Sequence, residues 1–452
     1  MPVSTAPSPT VPPSVPAGSP ARRGTPFTRR TRTALGLAAA GITLVAASGC
    51  AASVAQNTAS VDTGESVPWG AGPEEYRAAL ADMEPTTLTF QAGTASGESH
   101  TGKRELAFAE NIEEWSGGKI RVETVFGQAI APYDEVTEGV ADGRIDIGVE
   151  IPIYTPTKYP NINALVDLST SVKGDPYFSE MVTTTAMQEV AWDHGAIISD
   201  YEEKGVDVLV PVEFEFSNAL LCSEPRTSTE DFAGSMIRVG SKADVAIVKA
   251  LGAVPVSMHY PETYEALQRN TMDCTFAGLK IAQTYGFYDA APYVVFPQEK
   301  SFVRSPTSMI AGHGFRQLPL AARQMIFDLT MHRYAQHIEA SVAFNDDSME
   351  DIAASGGEVL RLEADAEAAL EGANAELADR VDGLQSLDGS ALASDLEAAV
   401  TKWEGIARDA GYAEIHDHAD LVGDSAAAVD GMPIAKALYE DVYLDLRPGA
   451  GV

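Results

Sequence analysis

The stretch MIRVGSKADVAIVKALGAVPVSMHYPETYEALQRNTMDCTF, residues 236–276, decides the fold. Three short apolar runs alternate in it with two segments whose apolar side chains recur at helical spacing. The predicted strands are 236–239, 254–256 and 272–276, and the predicted helices are 242–251 and 261–268. This order of strands and helices predicts a parallel sheet whose strands are joined by crossover helices.

The same alternation occurs once before, nearer the N-terminus. The predicted strands there are 87–91, 119–126 and 144–150, and the predicted helices are 103–115 and 133–141. Residues 316–440 are mostly helical in pattern. Two α/β units of this kind predict two lobes with a ligand cleft between them, because ligands bind at the carboxyl ends of parallel strands.

The first fifty residues have the layout of an exported lipoprotein. Five arginines and no acidic residue precede an apolar run of about 14 residues, 34–47, whereas about 20 are needed to span a bilayer. Small residues then lead to Cys50, which we expect to be acylated. An ordinary secretory signal cut near Ala47 is the alternative. Either reading predicts export, and the first predicts a lipid anchor on the outer face of the cell membrane.

The charge and the motifs exclude several classes of function. With 65 acidic and 31 basic side chains, the net charge is −34, which repels nucleic acid. The sequence has no dinucleotide-binding loop, nucleophile elbow or metal-ligand cluster, so we expect no cofactor, no metal and no enzymatic activity. Besides Cys50 there are Cys222 and Cys274, for which a disulfide and two buried thiols both remain open.

Three stretches carry a resemblance to a known family. They are 108–148 (FAE, SGGKI and EGVADGRIDIG), 229–273 (TEDFAGSMIRV, ALGAVPV, YEALQ and MD) and 315–319 (FRQLP). Over roughly residues 86–380 the chain resembles the substrate-binding subunit of tripartite ATP-independent periplasmic (TRAP) transporters, of the C4-dicarboxylate-binding, DctP-like type. The resemblance implies an α/β, two-lobed periplasmic-binding-protein-like fold. It also implies a receptor that delivers a small organic acid to integral membrane subunits.

We therefore expect five regions along the chain. They are a lipoprotein-type signal peptide at 1–49, a lipidated tether at 50–85, a first α/β lobe at 86–216 with part of 284–330, a second α/β lobe at 217–283, and a mainly helical C-terminal region at 331–452 that completes the lobes.

Arg238 is the principal candidate for ligand binding. In the family, the arginine of the G-x-K-I-R-V strand forms a bidentate pair with the ligand carboxylate, and Arg238 occupies that position. The planar fork of guanidinium donors matches a carboxylate, which supports this assignment. The alternative is a structural ion pair with one of the many acids of the chain.

Further candidates follow predicted strands of the first lobe. Glu98 and His100 lie in the loop after the first strand, where the family's first lobe approaches its ligand. Glu150 and Tyr154 come at and after the end of the strand that contains Val149, at the expected cleft face. Each of these side chains could instead be an ordinary solvated or ion-paired residue.

Three candidates of the second lobe stand where the chain departs from the family pattern. Asn218 lies near a position that is often basic in the family. Thr275 and Phe276 replace part of a polar stretch after Asp273. One arginine beside a new aromatic wall suits a monocarboxylate with an apolar or ring portion better than a small dicarboxylate. The alternative function is a ligand-sensing or accessory surface lipoprotein that is not coupled to transport.

Overall fold

A computed structural model describes residues 65–258, 260–421 and 429–450. The two-lobed α/β fold predicted from the sequence is confirmed. The strands are β1 (Thr86–Gln91), β2 (Ile120–Val125), β3 (Ile147–Glu150), β4 (Asp207–Phe214), β5 (Asn218–Cys222), β6 (Met236–Val239), β7 (Val254–Ser257), β8 (Cys274–Gly278), β9 (Tyr293–Phe296), β10 (Pro306–Ala311) and β11 (Glu358–Arg361).

The helices lie on and between the sheets. They are α1 (Pro73–Ala79), α2 (His100–Trp115), α3 (Val136–Ala141), α4 (Pro160–Leu168), α5 (Phe178–Asp193), α6 (Gly195–Glu202), α7 (Thr229–Phe232), α8 (Lys242–Ala250), α9 (Tyr260–Gln268), α10 (Leu279–Tyr285), α11 (His313–Arg316), α12 (Leu320–Ala354), α13 (Ala364–Val381), α14 (Gly389–Asp409) and α15 (Met432–Leu438).

Each lobe contains one sheet, and both sheets are mixed. The first has the order β2-β1-β3-β10-β4, in which β1 pairs parallel with β2 and β3 while β10 runs antiparallel to β3 and β4. The second has the order β11-β9-β5-β8-β6-β7, in which β5 is antiparallel to β8 and β9. The parallel units that local patterns predict are therefore present, and strands from distant parts of the chain are added to them.

Two short segments of the chain connect the sheets of the lobes, and α12 connects them again between β10 and β11. Residues 215–217 connect β4 of the first sheet to β5 of the second, and residues 297–305 connect β9 of the second sheet to β10 of the first. The second sheet thus includes β9 and β11, which lie outside the expected range 217–283. Two crossing segments side by side are the arrangement that permits a hinge motion of one lobe against the other.

Helix α8, which leads away from the cleft, is fixed by its first turn. Ser241 caps it by accepting a hydrogen bond from the amide of Asp244 at 3.0 Å, and the Asp244 carboxylate accepts from the amides of Gly240 and Ser241. Buried Ile247 and Val248 hold the helix against its sheet. This reciprocal cap determines where the chain after β6 turns, and therefore the shape of the cleft wall.

An ion network on α12 connects the lobes. This helix packs on α2 of the first lobe and on α10 of the second. Its Arg333 donates to Glu105 on α2 and to Glu213 on β4, at 2.7 and 2.8 Å, while Lys280 on α10 pairs with Glu215 in the first crossing segment. Burial opposes ionisation of Glu213, but the neighbouring arginines lower its pKa to about 2. We call these five side chains the hinge ion network.

The expectation of a tether over 50–85 is wrong for residues 65–85. Val67, Tyr76 and Leu80 are buried, and the Tyr76 hydroxyl donates to Asp328 on α12 at 2.5 Å. Arg447 donates to both Tyr76 and Asp328. The Ala- and Gly-rich composition around these few apolar residues hid their periodic spacing, and helix α1 packs on the body through them.

Cys222 and Cys274 form a disulfide, which resolves the open question about their state. They are directly opposite each other on the antiparallel pair β5 and β8. The bridge therefore joins two central strands of the second sheet.

Among the helices of the described residues, none has the length and apolar character needed to cross a membrane.

Candidate functional site

Elements of both lobes converge on one cavity at the cleft. A 3₁₀ turn, Pro152–Tyr154, follows β3 of the first lobe and faces β6 and β8 of the second. About 300 Å³ at this place, counted with the part that is open to solvent, is not filled by protein atoms. Tyr154, Asn218, Gly240, Tyr260 and Phe276 are among the residues that line this space. The cavity lies at the strand ends, where an α/β fold places its ligand.

Arg238 lies directly behind this lining and is 2% exposed. Its Nε donates to the carbonyl of Met258 at 2.8 Å and its Nη1 to the carbonyl of Phe276 at 3.2 Å. The guanidinium carbon is 3.8 Å from the centre of the Tyr260 ring. No carboxylate of the described residues forms an ion pair with it. Arg238 is thus a buried cation held by neutral groups.

The charge of Arg238 persists despite this burial. Desolvation opposes it, but Tyr260, Tyr154 and Asp244 more than compensate and raise the pKa of the guanidinium. Gly240 provides the room that the guanidinium needs, because a Cβ at that position would lie 3.1 Å from Nη1 and 3.2 Å from Nη2. The surroundings therefore preserve a cation and leave it without an ion-paired carboxylate among the described residues.

Tyrosines from both lobes lie at and near the cavity. Tyr154 of the first lobe and Tyr260 of the second line it, and Tyr133 of the first lobe and Tyr285 of the second lie close to them. The rings of Tyr260 and Tyr285 stack with their centres 5.9 Å apart. Burial raises the pKa of Tyr133, Tyr154 and Tyr285, so their hydroxyls are uncharged near neutral pH. We call these four residues the tyrosine cluster.

Asn218 and Phe276 complete the wall on the side of the second lobe. The Asn218 amide donates to the carbonyl of Val303 in the second crossing segment, at 2.6 Å. Phe276 packs edge-to-face on Phe302, with ring centres 5.0 Å apart. The wall is therefore aromatic and largely neutral. This agrees with the presence of Phe276 in a stretch that is polar in the family pattern. Both residues are brought to the cavity by strands that lie side by side only in the folded sheet.

Comparison with known proteins identifies the family. Residues 92–382 match the profile of the bacterial extracellular solute-binding proteins of family 7, the DctP family. The chain belongs to this family. Helices α14 and α15 lie beyond the matched residues.

Individual relatives agree with this assignment. The chain is 25% identical over 260 residues to the ectoine-binding periplasmic protein TeaA of Halomonas elongata, covering 56% of this chain and 72% of TeaA. Its fold is similar to a marine metagenome TRAP solute-binding protein specific for aromatic acid ligands, with a TM-score of 0.61, 18% identity and coverage of 71% and 99%. It is also similar to a benzoate-bound TRAP solute-binding protein of Rhodoferax ferrireducens, with a TM-score of 0.62, 16% identity and coverage of 71% and 99%.

Glu150 does not reach the cavity of this family 7 protein. Its carboxylate accepts from the amide and hydroxyl of Thr137 on α3, at 3.0 and 2.7 Å, and its other oxygen has no partner in the described part of the chain. A side chain at Gly148, two residues earlier, would also meet α3. Because alternate residues of a strand share a face, Glu150 points to the buried side of the sheet. Burial raises its pKa to about 7.

Three other predicted residues also lie away from the cavity lining. Glu98 is exposed in its loop. The Nε2 of His100 lies 2.8 Å from a carboxylate oxygen of Asp347 on α12, and its ring packs against Phe344. Thr275 is buried, and its hydroxyl donates to the carbonyl of Phe276 at 3.1 Å. These contacts engage His100 and Thr275 in the fold. Cys50 lies outside the described residues.

The sequence reasoning missed Tyr133, Tyr260 and Tyr285. A signal for Tyr260 was available, because it follows the carboxyl end of β7 in the same way that Tyr154 follows β3. Tyr133 and Tyr285 lie in a loop and at a helix end, and only the packing of the two lobes brings them together. Position after a strand thus identified part of the tyrosine cluster, and tertiary structure supplies the remainder.

Proposed function

We propose that this family 7 solute-binding protein captures a small organic acid between its lobes and delivers it to the integral membrane subunits of a TRAP transporter. Arg238 anchors the carboxylate of the ligand. The observation that carries this proposal is the buried guanidinium with no carboxylate partner among the described residues. A buried cation of this kind is costly unless an anion compensates it, and a ligand carboxylate supplies that anion.

The ligand that fits best is a monocarboxylate with an apolar or ring portion. Arg304, which lines the cavity, already pairs with Glu180 through two contacts of 2.8 and 2.9 Å, so it is not available for a second ligand carboxylate. Tyrosine and phenylalanine rings form much of the remaining wall. The aromatic acids named for the two structural relatives support this choice.

Calorimetric titration of the purified protein tests this function. We expect benzoate to bind more tightly than succinate, and Arg238→Gln to weaken the binding of both strongly. Arg121→Gln is the matched control, because Arg121 is also a strand arginine but is exposed on β2. A carboxylate that binds Arg238→Gln as well as it binds the natural protein would contradict the assigned anchor. Tighter binding of succinate would contradict the ligand class.

We further propose that the mature protein is held at the outer face of the cell membrane by acylated Cys50. The basic segment, the short apolar run and the small residues before Cys50 support this anchor. Cells that express the natural protein or Cys50→Ala should be separated into membrane and soluble fractions. We expect the natural protein in the membrane fraction and Cys50→Ala outside it. Equal recovery of both variants in the membrane fraction would contradict the anchor.

A further inference from the structure

A second, larger space adjoins the cavity in front of Arg238. It contains about 740 Å³ not filled by protein atoms and lies between α4 of the first lobe, α8 of the second and the end of α13. Ile153, Ser241 and Val303 line both spaces. A ligand held by its carboxylate at Arg238 can therefore extend past these residues into the second space.

Asp167 is the distinctive side chain of this second space. It lies on α4, is half-buried, and its carboxylate makes no hydrogen bond or ion pair with the rest of the described chain. Burial raises the pKa of Asp167 to about 7; the charge of Arg380 on α13 opposes this shift and the charge of Asp244 on α8 adds to it. The carboxylate thus lines an open space and has no ion-pair partner among the described residues.

Several other buried acids of the described residues have donors. Glu180 has Arg304, and Asp328 has Arg447. One oxygen of Glu150 accepts from Thr137 on the buried side of its sheet. Asp244, close to both spaces, accepts hydrogen bonds from the amides of Gly240 and Ser241 at 2.9 and 3.0 Å as part of the cap of α8. Among the described acids that line the two spaces, the acceptor capacity of Asp167 remains unused.

We propose that Asp167 forms a second ligand subsite that binds an ammonium group, so that the ligand is an amino acid whose carboxylate and ammonium lie at opposite ends of an apolar stem. The inference rests on the proposed function of Arg238 as carboxylate anchor. Apolar side chains between the two ends, such as Ile153, Ala164 and Val303, fit the stem. An ammonium supplies the positive charge that the half-buried carboxylate lacks.

Lys242 and Arg380 suggest a competing occupant for the same space. Both cations line it and are exposed at its edge. A second ligand carboxylate would bind to them, and the ligand would then be a long dicarboxylate. Because the two occupants have opposite charge, one set of probes distinguishes them.

The experiment is calorimetric titration with four probes of one shape. Benzoate is the reference, and 4-ethylbenzoate, 4-(aminomethyl)benzoate and 4-(carboxymethyl)benzoate place a methyl, an ammonium and a carboxylate at the same distance from the ring. We expect the ammonium probe to bind at least tenfold more tightly than the ethyl probe. In Asp167→Asn we expect this preference to fall to twofold or less, with the affinity for 4-ethylbenzoate unchanged within twofold.

The control variant is Asp142→Asn, which removes one negative charge from an exposed carboxylate of the first lobe that pairs with Arg144. Asp142→Asn should retain the full preference for the ammonium probe. It changes the net charge by the same amount as Asp167→Asn, so the attraction of a cation to the acidic protein as a whole is the same in the two variants. The subsite is overturned if the preference survives in Asp167→Asn, if the dicarboxylate binds most tightly, or if benzoate binds and no 4-substituted probe does. Failure of benzoate and of all three substituted probes would instead overturn the proposed carboxylate receptor.

Discussion

Two buried arginines of this protein have opposite surroundings. Arg333 in the hinge ion network contacts two carboxylates, Glu105 and Glu213, through four hydrogen bonds of 2.7 to 2.9 Å. Arg238 at the cleft contacts two backbone carbonyls and the ring of Tyr260. Both side chains are almost completely inaccessible to solvent. The guanidinium of the hinge ion network is paired with carboxylates of the chain, and the guanidinium at the cleft is not.

This difference separates a structural charge from a binding charge. Removing a charge from water costs several kcal/mol per ion, and only a well-placed partner recovers that cost. Arg333 has its partners in the fold itself and therefore contributes to holding α12 on the first lobe. In the proposed function, Arg238 gains its partner only when a ligand binds, so part of its contribution would appear as affinity.

The largest effect is expected at Arg333. In Arg333→Gln, Glu105 and Glu213 keep Arg104 but lose the bidentate partner that contacts both of them, which should reduce the free energy of unfolding by about 3 kcal/mol. Equilibrium denaturation in urea measures this loss, with Arg121→Gln as the exposed control. A loss below about 1 kcal/mol would remove the distinction between the two arginines.

The next effect concerns Arg238 and appears in binding. Arg238→Gln should weaken the binding of benzoate by about a hundredfold, since a charge-assisted bidentate contact is lost. Without ligand, its unfolding midpoint should stay close to that of the natural protein, because no carboxylate loses a partner. Calorimetry measures the affinity for benzoate, and thermal denaturation of the same samples measures the unfolding midpoint. If Arg238→Gln destabilised the free protein as much as Arg333→Gln does, Arg238 would be structural.

Glu150 extends the comparison to a buried acid without a cation. Its pKa is raised from the ordinary 4.5 to about 7, so the unfolded state loses its proton at lower pH than the folded state. The natural protein should consequently lose roughly 2 to 3 kcal/mol of stability as the pH rises from 4.5 through 7.

Glu150→Gln removes this titration and keeps an acceptor for Thr137. The free energy of unfolding of Glu150→Gln should exceed that of the natural protein by nearly zero at pH 5 and by the largest amount at pH 8. Urea denaturation at both pH values measures this difference. An advantage that does not change with pH would show that Glu150 ionises normally in the folded protein.

The smallest effect is expected from the ring that covers Arg238. Tyr260→Leu removes the cation–π contact and leaves an apolar side chain of similar reach, which should reduce the affinity for benzoate about fivefold, or about 1 kcal/mol. Tyr264→Leu on the same helix is the control, because Tyr264 does not line the cavity. Equal effects of both substitutions would assign the loss to α9 as a whole.

Local patterns predicted what local chain geometry determines. The strand and helix order of residues 236–276 is present in β6, α8, β7, α9 and β8, and Arg238 was identified because a sequence motif marks it. The mixed sheets were not predicted, since β5, β9 and β10 find their neighbours across long stretches of chain. No local signal specifies such pairings.

The site was predictable to a similar extent. Tyr154 and Phe276 line the cavity as expected, whereas Glu150 failed because the position of a residue at a strand end does not specify the face of the sheet to which it points. His100, expected in a loop, is the first residue of α2 and is engaged by Asp347 from a helix more than two hundred residues later. Contacts between distant parts of the chain therefore decided which candidates line the cavity.

The packing of residues 65–85 on α12 has a practical consequence for engineering. Gln324 hydrogen-bonds Val67 through its side-chain oxygen and Pro448 through its side-chain nitrogen, so both ends of the described chain lie beside one glutamine. A short linker can join them without crossing the cleft, and the chain can be reopened in a surface loop of either lobe. Such a circular permutant, with a fluorescent reporter inserted at the new ends, would convert lobe closure into an optical signal.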